Sequence, residues 1–129
     1  MNKILLSLLF TVSLFGAELN WIHNYNKGLE VAKKEHKDVY LFIGADACKY
    51  CKKFKKTTLS KKYVMNKLNA DFVPIYLSRD QHKIPDKFER YGAPRHYFLT
   101  SDGKIYDEDV GYMSPERFLS LLKEVKSFK

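Results

Sequence analysis

The stretch Cys48-Lys49-Tyr50-Cys51 contains the only two cysteines of this 129-residue chain. Just upstream runs Val39-Tyr40-Leu41-Phe42-Ile43, a short apolar segment of β-branched and aromatic residues that predicts a buried strand. Just downstream, Lys52-Lys53-Phe54-Lys55-Lys56 predicts the first turns of a helix. We therefore expect the cysteine pair where a strand gives way to a helix.

This position favours chemistry at the two sulfur atoms. The first turn of a helix presents unpaired backbone N–H groups and a partial positive charge, and both stabilise a thiolate. Cys48, at the helix start, is therefore expected to be the exposed, attacking sulfur. Cys51 lies one turn further in, so we expect it to be more buried and to resolve a mixed disulfide formed on Cys48.

The Cys-x-x-Cys spacing alone is compatible with a redox pair, a static disulfide or half of a zinc site. A structural zinc site needs further protein ligands, and the sequence has neither a second such cysteine pair nor a close pair of histidines. A strand before the cysteines and a helix after them favour the redox pair.

The first residues have the layout of a secretory signal peptide. Lys3 precedes an apolar run at residues 4–15, and the small residues Gly16 and Ala17 follow it. This run is shorter than the roughly 17–25 residues that cross a bilayer. We predict a signal peptide at residues 1–17, cleaved after Ala17 or retained as an anchor, and one domain at residues 18–129. The cysteines would then lie in an oxidising compartment such as the periplasm.

The chain is basic, with a formal net charge of +8. Seven lysines and one aspartate lie between Asp46 and Lys62, which gives this segment a local charge of +6. A run of this kind is usually a solvated helix face, and export argues further against a nucleic-acid partner. We therefore expect no nucleic-acid role, and we interpret the lysines as stabilising the Cys48 thiolate and favouring acidic partners.

Three more strands are predicted after the cysteines, at residues 72–77, 95–99 and 104–110. Pro74 cannot donate to a sheet ladder, so the first of them is expected to be near an edge of the sheet or irregular at this residue. Ser101-Asp102-Gly103 is typical of a hairpin turn between the other two. A strand–helix–strand unit followed by a hairpin and a closing helix predicts a mixed sheet covered on both faces.

Helices are predicted from starting residues and from helical periodicity. Outside the cysteine helix, the predicted starting residues are Asn24, Ser60, Pro85 and Ser114. The cysteine helix is expected to continue to about Leu59, and the helix from Pro85 to end near Tyr91. His36, near the end of the first helix, is interpreted as structural. Phe128 is expected to be the last residue on the buried face of the final helix.

With these elements in this order, the chain resembles the thioredoxin superfamily, and in particular small exported thioredoxin-like proteins. The resemblance covers residues 21–128 and rests on the cysteine motif, on Gly92-Ala93-Pro94 before the hairpin, and on Gly111 before the last helix. It implies a thioredoxin-like three-layer α/β/α sandwich with a mixed central sheet. It also implies a cis peptide bond before Pro94, and a backbone at Ala93 that pairs with an extended substrate peptide.

Two positions depart from the family pattern. Ala47 stands where the family often has a tryptophan before the first cysteine. Phe42 stands where thioredoxins have a buried aspartate that helps to move protons from the second cysteine. We therefore do not expect a general thioredoxin. Tyr50 is the second residue between the two cysteines, and in this it resembles the residue that exported disulfide isomerases and glutaredoxins have at that position.

The resemblance implies an exported thiol–disulfide oxidoreductase that exchanges disulfides with protein cysteines. Cys48 and Cys51 would be catalytic, Tyr50, Ala93 and Pro94 would contact the substrate, and no cofactor is needed beyond the Cys48–Cys51 dithiol. Its partners would be cysteine-containing client proteins and a separate redox partner. We expect a monomer without stable membrane insertion after cleavage, and the direction of electron flow stays open.

A second class of function uses the same sulfurs to bind a soft metal such as Cu(I). His82, His96 or Met113 would then assist the two cysteines. Each histidine is isolated in the sequence, and a lone histidine is more often structural or solvated than a ligand. The metal content of the purified, reduced protein would separate the two classes.

Overall fold

The computed structural model describes residues 19–128, so the signal peptide predicted at residues 1–17 lies outside the described residues. Four helices and four strands form within this range. In chain order they are α1 Tyr25–Glu35, β1 Asp38–Gly44, α2 Lys49–Thr57, α3 Lys62–Asp71, β2 Phe72–Ser78, β3 Arg95–Leu99, β4 Ile105–Val110 and α4 Pro115–Lys126. None of the helices in residues 19–128 is long and apolar enough to cross a bilayer.

The four strands form one mixed sheet in the order β2-β1-β3-β4. Strand β1 pairs parallel with β2 and antiparallel with β3, and β3 pairs antiparallel with β4. The edge position predicted from Pro74 is confirmed, because β2 is an outer strand. Ile22 covers part of this edge: its N–H donates to the Pro74 carbonyl at 3.1 Å, and its carbonyl accepts the Tyr76 N–H at 3.0 Å.

Side chains alternate between the two faces of the sheet, and both faces are buried. In β1, Tyr40 and Phe42 belong to the core under α2, α3 and α4, whereas Val39, Leu41 and Ile43 belong to the core on the α1 side. Every residue of β1 is buried, which is expected of a central strand between two helical layers. The predicted three-layer α/β/α sandwich is therefore confirmed.

Two boundary predictions around α2 and α3 are wrong. Helix α2 ends at Thr57 rather than near Leu59, and the Thr58 hydroxyl turns to donate to the Met113 carbonyl at 2.7 Å. Ser60 does not cap α3, because its hydroxyl donates back to the Lys56 carbonyl. Lys61 occupies the N-cap position, without a side-chain hydrogen bond to the helix.

The short helix predicted from Pro85 to Tyr91 does not form. A single turn is closed by the Phe88 N–H, which donates to the Pro85 carbonyl at 3.1 Å. The Arg90 guanidinium then donates to the Ile84 carbonyl at 3.1 Å, and the Glu89 carboxylate accepts the Arg90 and Tyr91 N–H groups at 3.0 Å each. These side-chain bonds satisfy backbone groups that a helix would have used, so the segment remains irregular.

The prediction for the end of the last helix is also wrong. Helix α4 begins after Ser114 as predicted, and its buried face runs through Phe118, Leu122 and Val125. Phe128 lies beyond the end of the helix and is 56% exposed. In the first helix, His36 ends α1 in the left-handed conformation, with φ of 54° and an exposed side chain.

Candidate active site

The two cysteines form a disulfide at the N-terminus of α2. Cys48 is the N-cap residue with an extended backbone, and its Sγ accepts the N–H of Cys51 at 3.1 Å. The Cys48 carbonyl accepts the N–H of Lys52 at 3.1 Å, which closes the first turn. The Cys48 sulfur therefore lies where the unpaired N–H groups of the helix converge, as the sequence predicted.

The two sulfurs differ in burial in the direction expected. Cys48 is half-buried, whereas Cys51 is 1% exposed and belongs to the core between the sheet and α2. Phe54, one turn after Cys51, is fully buried in the same core. The attacking sulfur in the proposed chemistry can thus be reached from solvent, while its partner is shielded; the two catalytic roles themselves remain predictions.

The loop before Cys48 is held by hydrogen bonds from the loop after β2. The Asp46 carboxylate accepts the Ser78 hydroxyl at 2.8 Å and the Gln81 side-chain amide at 2.7 Å through the same Oδ1 atom. The Asp46 N–H donates to the Asp80 carboxylate at 2.7 Å. Asp46 therefore fixes the backbone two residues before Cys48, a role that no local sequence pattern indicates.

The cis-proline predicted from the resemblance is confirmed, because the Ala93–Pro94 peptide bond is cis. Pro94 is buried, and Ala93 is half-buried against the same core cluster as Cys48. The register pairs Ile43 with Arg95, so the start of β3 and the loop that leads to Cys48 lie at the same end of the sheet. We call residues 92–94 the cis-proline loop.

The cis-proline loop is joined to the chain after β4 through Gly111. The Gly111 N–H donates to the Pro94 carbonyl at 2.8 Å, and the Gly111 carbonyl faces a ring nitrogen of His96 at 2.9 Å. Gly111 has φ of 98°, in the left-handed region that favours glycine. A larger side chain at this position would strain the turn, in which the Gly111 N–H points to the Pro94 carbonyl and the Gly111 carbonyl points to His96.

His96 is fully buried on the sheet face that α2 covers. It lies opposite Phe42 in the β1–β3 register, and the two rings stack at 5.9 Å between centroids and 12° between planes. The Phe54 ring contacts the His96 imidazole edge-to-face at 4.9 Å. A titratable side chain therefore lies under the cysteine helix, beside the position where thioredoxins have their buried aspartate. From the sequence alone, His96 is expected only as a possible metal ligand.

The hydrogen bonds of His96 define its tautomer. A carbonyl can only accept, so His96 Nε2 carries the proton and donates to Gly111. Nδ1 then accepts the hydroxyl proton of Tyr40 at 2.7 Å. Burial lowers the pKa of His96 from 6.5 to about 4, against the smaller opposing effects of the Gly111 carbonyl and of Asp109. Burial likewise raises the pKa of Tyr40 well above 10.0. Both side chains are therefore neutral at pH 7.

The surface around Cys48 is basic and aromatic. Lys49 and Lys52 are exposed in the first turns of α2, and Tyr50 between them is 55% exposed. The ammonium of Lys53 instead lies over the Tyr112 ring, 4.5 Å from its centroid. Tyr91, which precedes the cis-proline loop, is 66% exposed. Tyr50, Ala93 and Pro94, the predicted substrate contacts, are thus at one end of the sheet with Cys48.

The candidate metal ligands have other partners. Both ring nitrogens of His96 are occupied by Tyr40 and Gly111, and His82 Nδ1 accepts the Ser78 N–H at 2.8 Å while its ring stacks on His23. Met113 is buried. Within residues 19–128 there is no group of three or more His, Cys, Asp or Glu side chains that could hold a metal ion. The described residues therefore give the copper alternative no support.

The fold and the cysteine site define a thioredoxin-like domain. The family model of the thioredoxin-like domain matches residues 25–126, and the chain therefore belongs to this family.

Similar proteins agree on the fold. A thioredoxin from Thermus thermophilus superimposes with a TM-score of 0.69 and 24% identity over 84% of this chain and 87% of that one. A DsbH oxidoreductase superimposes with a TM-score of 0.67 and 20% identity over 93% and 90% of the two chains. An uncharacterized protein of Archaeoglobus fulgidus is 28% identical over 79 residues, which are 60% of this chain. The matches span 62% of that relative's length and 42% of a second curated relative's.

Proposed function

We propose that the protein is a thiol–disulfide oxidoreductase that exchanges disulfides with the cysteines of client proteins. The observation that carries this proposal is the Cys48–Cys51 disulfide at the N-terminus of α2, with one sulfur half-buried and the other enclosed. A static disulfide needs no such asymmetry, whereas disulfide exchange requires an accessible sulfur and a second sulfur that reaches it.

Written as a reduction, the reaction has two steps. The Cys48 thiolate attacks one sulfur of a client disulfide, forms a mixed disulfide and releases the other client sulfur as a thiolate, which takes a proton from solvent. Cys51 then loses its proton and attacks the Cys48 sulfur. This step re-forms the Cys48–Cys51 disulfide and releases the second client thiolate. Two electrons pass from the protein dithiol to the client, and the same steps in reverse oxidise a client dithiol.

Client binding is assigned to the surface around Cys48. An extended client segment would pair with the backbone of Ala93 beside Pro94, as a strand added to the sheet. Tyr50 would contact the same segment, because its exposed ring lies within the cysteine motif. Lys49 and Lys52 favour acidic residues near the client cysteine, since opposite charges steer association. No cofactor beyond the dithiol takes part in this proposal.

The local electrostatics favour the reduced form of the pair. The helix N-terminus and the exposed Lys49 and Lys52 stabilise the Cys48 thiolate, and Phe42 supplies no carboxylate to oppose it. A stabilised thiolate makes the disulfide a better oxidant. We therefore place the potential of this couple above the roughly −270 mV of thioredoxin.

Equilibration with glutathione tests the activity and the potential together. The wild-type protein should exchange between disulfide and dithiol forms, and should oxidise a reduced two-cysteine peptide in a stoichiometric reaction. Cys48→Ser should abolish both reactions, whereas His36→Asn, at an exposed site at the end of α1, should leave them unchanged. Tight binding of one Cu(I) by the reduced protein, without exchange, would instead support the metal-binding alternative.

Export is proposed from the N-terminal sequence. Lys3, the apolar run at residues 4–15 and the small residues before Glu18 predict removal of residues through about Ala17. Cell fractionation with intact-mass analysis should find the mature chain outside the cytoplasm, and light scattering should give the mass of one chain. Full-length soluble protein in the cytoplasm would contradict export, and a dimer mass would contradict the proposed monomer.

A further inference from the structure

We propose that His96 is a positioning residue that holds the Pro94 carbonyl, through Gly111, in the geometry that the cis-proline loop needs to receive a client strand. This inference rests on the proposed function, because that function assigns client binding to the loop. It gives a role to the one described histidine that is fully buried and that the exchange chemistry itself does not use.

The link from His96 to the loop consists of two consecutive hydrogen bonds. His96 Nε2–H donates to the Gly111 carbonyl at 2.9 Å, and the N–H of the same glycine donates to the Pro94 carbonyl at 2.8 Å. Gly111 lies just beyond Val110, the last residue of β4, and its N–H bond to Pro94 extends the β3–β4 pairing by one residue. The His96 bond adds a side-chain restraint on the Gly111 carbonyl and so fixes the orientation of the peptide group that follows this glycine.

The imidazole is itself held in one orientation. Tyr40 on the central strand donates to Nδ1 at 2.7 Å, so both ring nitrogens have partners. The ring lies against Phe42 at 5.9 Å and Phe54 at 4.9 Å, and Phe118 contacts it at 6.0 Å. A 180° flip of the ring would place carbon atoms where Nδ1 and Nε2 now lie, and would break both hydrogen bonds. The orientation of Gly111 is thus set from the rigid centre of the sheet.

The placement of these bonds indicates more than core filling. An apolar side chain could fill the space among Phe42, Phe54 and Phe118 without the cost of burying an imidazole. The polar chain begins at Tyr40 in the core and ends at the carbonyl of Pro94 in the loop. Its last acceptor belongs to the residue next to Ala93, whose backbone is assigned to the client strand. Positioning by a hydrogen-bonded neighbour is how buried polar groups commonly orient a site.

Two amide variants isolate the bond to Gly111. In His96→Gln the side-chain nitrogen extends as far as Nε2 of histidine and can still donate to the Gly111 carbonyl. In His96→Asn the side chain is one carbon shorter, so its amide can meet Tyr40 but not Gly111. Both variants place a neutral amide in the same core, so they differ mainly in reach. Reduction of the oxidised proteins is measured with two thiols, an extended two-cysteine peptide and dithiothreitol, which is too small to pair with a loop.

For His96→Asn we expect a KM for the peptide at least about tenfold higher, because displacement of a binding loop weakens substrate positioning. Its limiting rate with the peptide, and its rate with dithiothreitol, should stay within about threefold of wild type, since the sulfurs are unchanged. His96→Gln should restore the peptide KM to within about threefold of wild type. The Gly111 amide should exchange with deuterium at least about tenfold faster in His96→Asn than in His96→Gln.

The outcomes separate this inference from the function on which it rests. An unchanged peptide KM in His96→Asn, or equal losses with the peptide and with dithiothreitol, would reduce His96 to a core residue and overturn the inference. Failure of wild-type protein to react with either thiol would instead overturn the proposed oxidoreductase function. If His96→Asn does not fold, Tyr40→Phe provides the same test: it leaves the imidazole without its anchor and should raise the peptide KM while sparing the dithiothreitol reaction.

Discussion

Replacement of Cys51 by serine is expected to accumulate mixed disulfides between Cys48 and client proteins. Cys48 is the half-buried sulfur at the N-cap of α2, so it can still attack a client disulfide. The second step is lost, because the serine hydroxyl cannot displace the client sulfur. Non-reducing gels of cells that express Cys51→Ser should therefore show client adducts that disappear on reduction. The adducts should exceed those of wild type at least about tenfold.

Cys48→Ser is the matched variant, since it leaves one cysteine in the same motif. Cys51 is 1% exposed, so its thiol cannot readily meet a client disulfide, and few adducts are expected. The double variant, with serine at both positions, gives the background. Equal trapping by the two single variants would contradict the division of roles between the sulfurs, although it would still allow exchange activity. If gels of Cys51→Ser show no adducts, the prediction that Cys48 forms stable mixed disulfides with client proteins is contradicted.

The features predicted correctly from the sequence are those that depend on residues close together in the chain. The apolar run at residues 39–43 becomes the centre of β1, and the hairpin strand at residues 95–99 has the predicted bounds. Only a short loop separates β1 from the cysteine motif and α2, so the order of strand, motif and helix could be predicted from neighbouring residues. Asn24 and Ser114 cap α1 and α4 through the side-chain bonds that their residue types favour. The cis bond before Pro94 came from the resemblance rather than from any local pattern.

The features that were missed depend on contacts between distant parts of the chain. Asp46 meets Ser78 because parallel pairing of β1 with β2 brings Gly44 opposite Ser78, and no local pattern shows this pairing. His96 is separated by 56 residues from Tyr40, whose hydroxyl donates to its Nδ1. The alternation of side chains in β3 could have placed His96 with Phe98 on one face, but not its bond to Gly111. The helix predicted at residues 85–91 is the exception, because it is replaced by local bonds such as that of Arg90 to the Ile84 carbonyl, six residues earlier.

Acidification is expected to destabilise the oxidised protein through His96. Burial lowers the pKa of His96 in the folded protein from 6.5 to about 4, so between these two values the unfolded chain binds a proton that the folded protein does not. Stability therefore rises with pH across this window, and the contribution of His96 is fully present above about pH 6.5. It is lost as the pH falls to about 4. A lowering of the pKa from 6.5 to about 4 corresponds to about 3 kcal/mol of unfolding free energy.

Urea unfolding at intervals between pH 7 and pH 4, with the disulfide intact, measures this loss. His96→Gln has no imidazole to protonate, so its unfolding free energy should fall by about 3 kcal/mol less than that of wild type over the same range. His36→Asn, which removes an exposed imidazole at a left-handed position that asparagine tolerates, should retain the wild-type fall. The two proteins are compared by how their unfolding free energy changes with pH, because His96→Gln also changes the unfolding free energy at every pH. Parallel curves for wild type and His96→Gln would show that the buried imidazole is not the group whose protonation destabilises the fold.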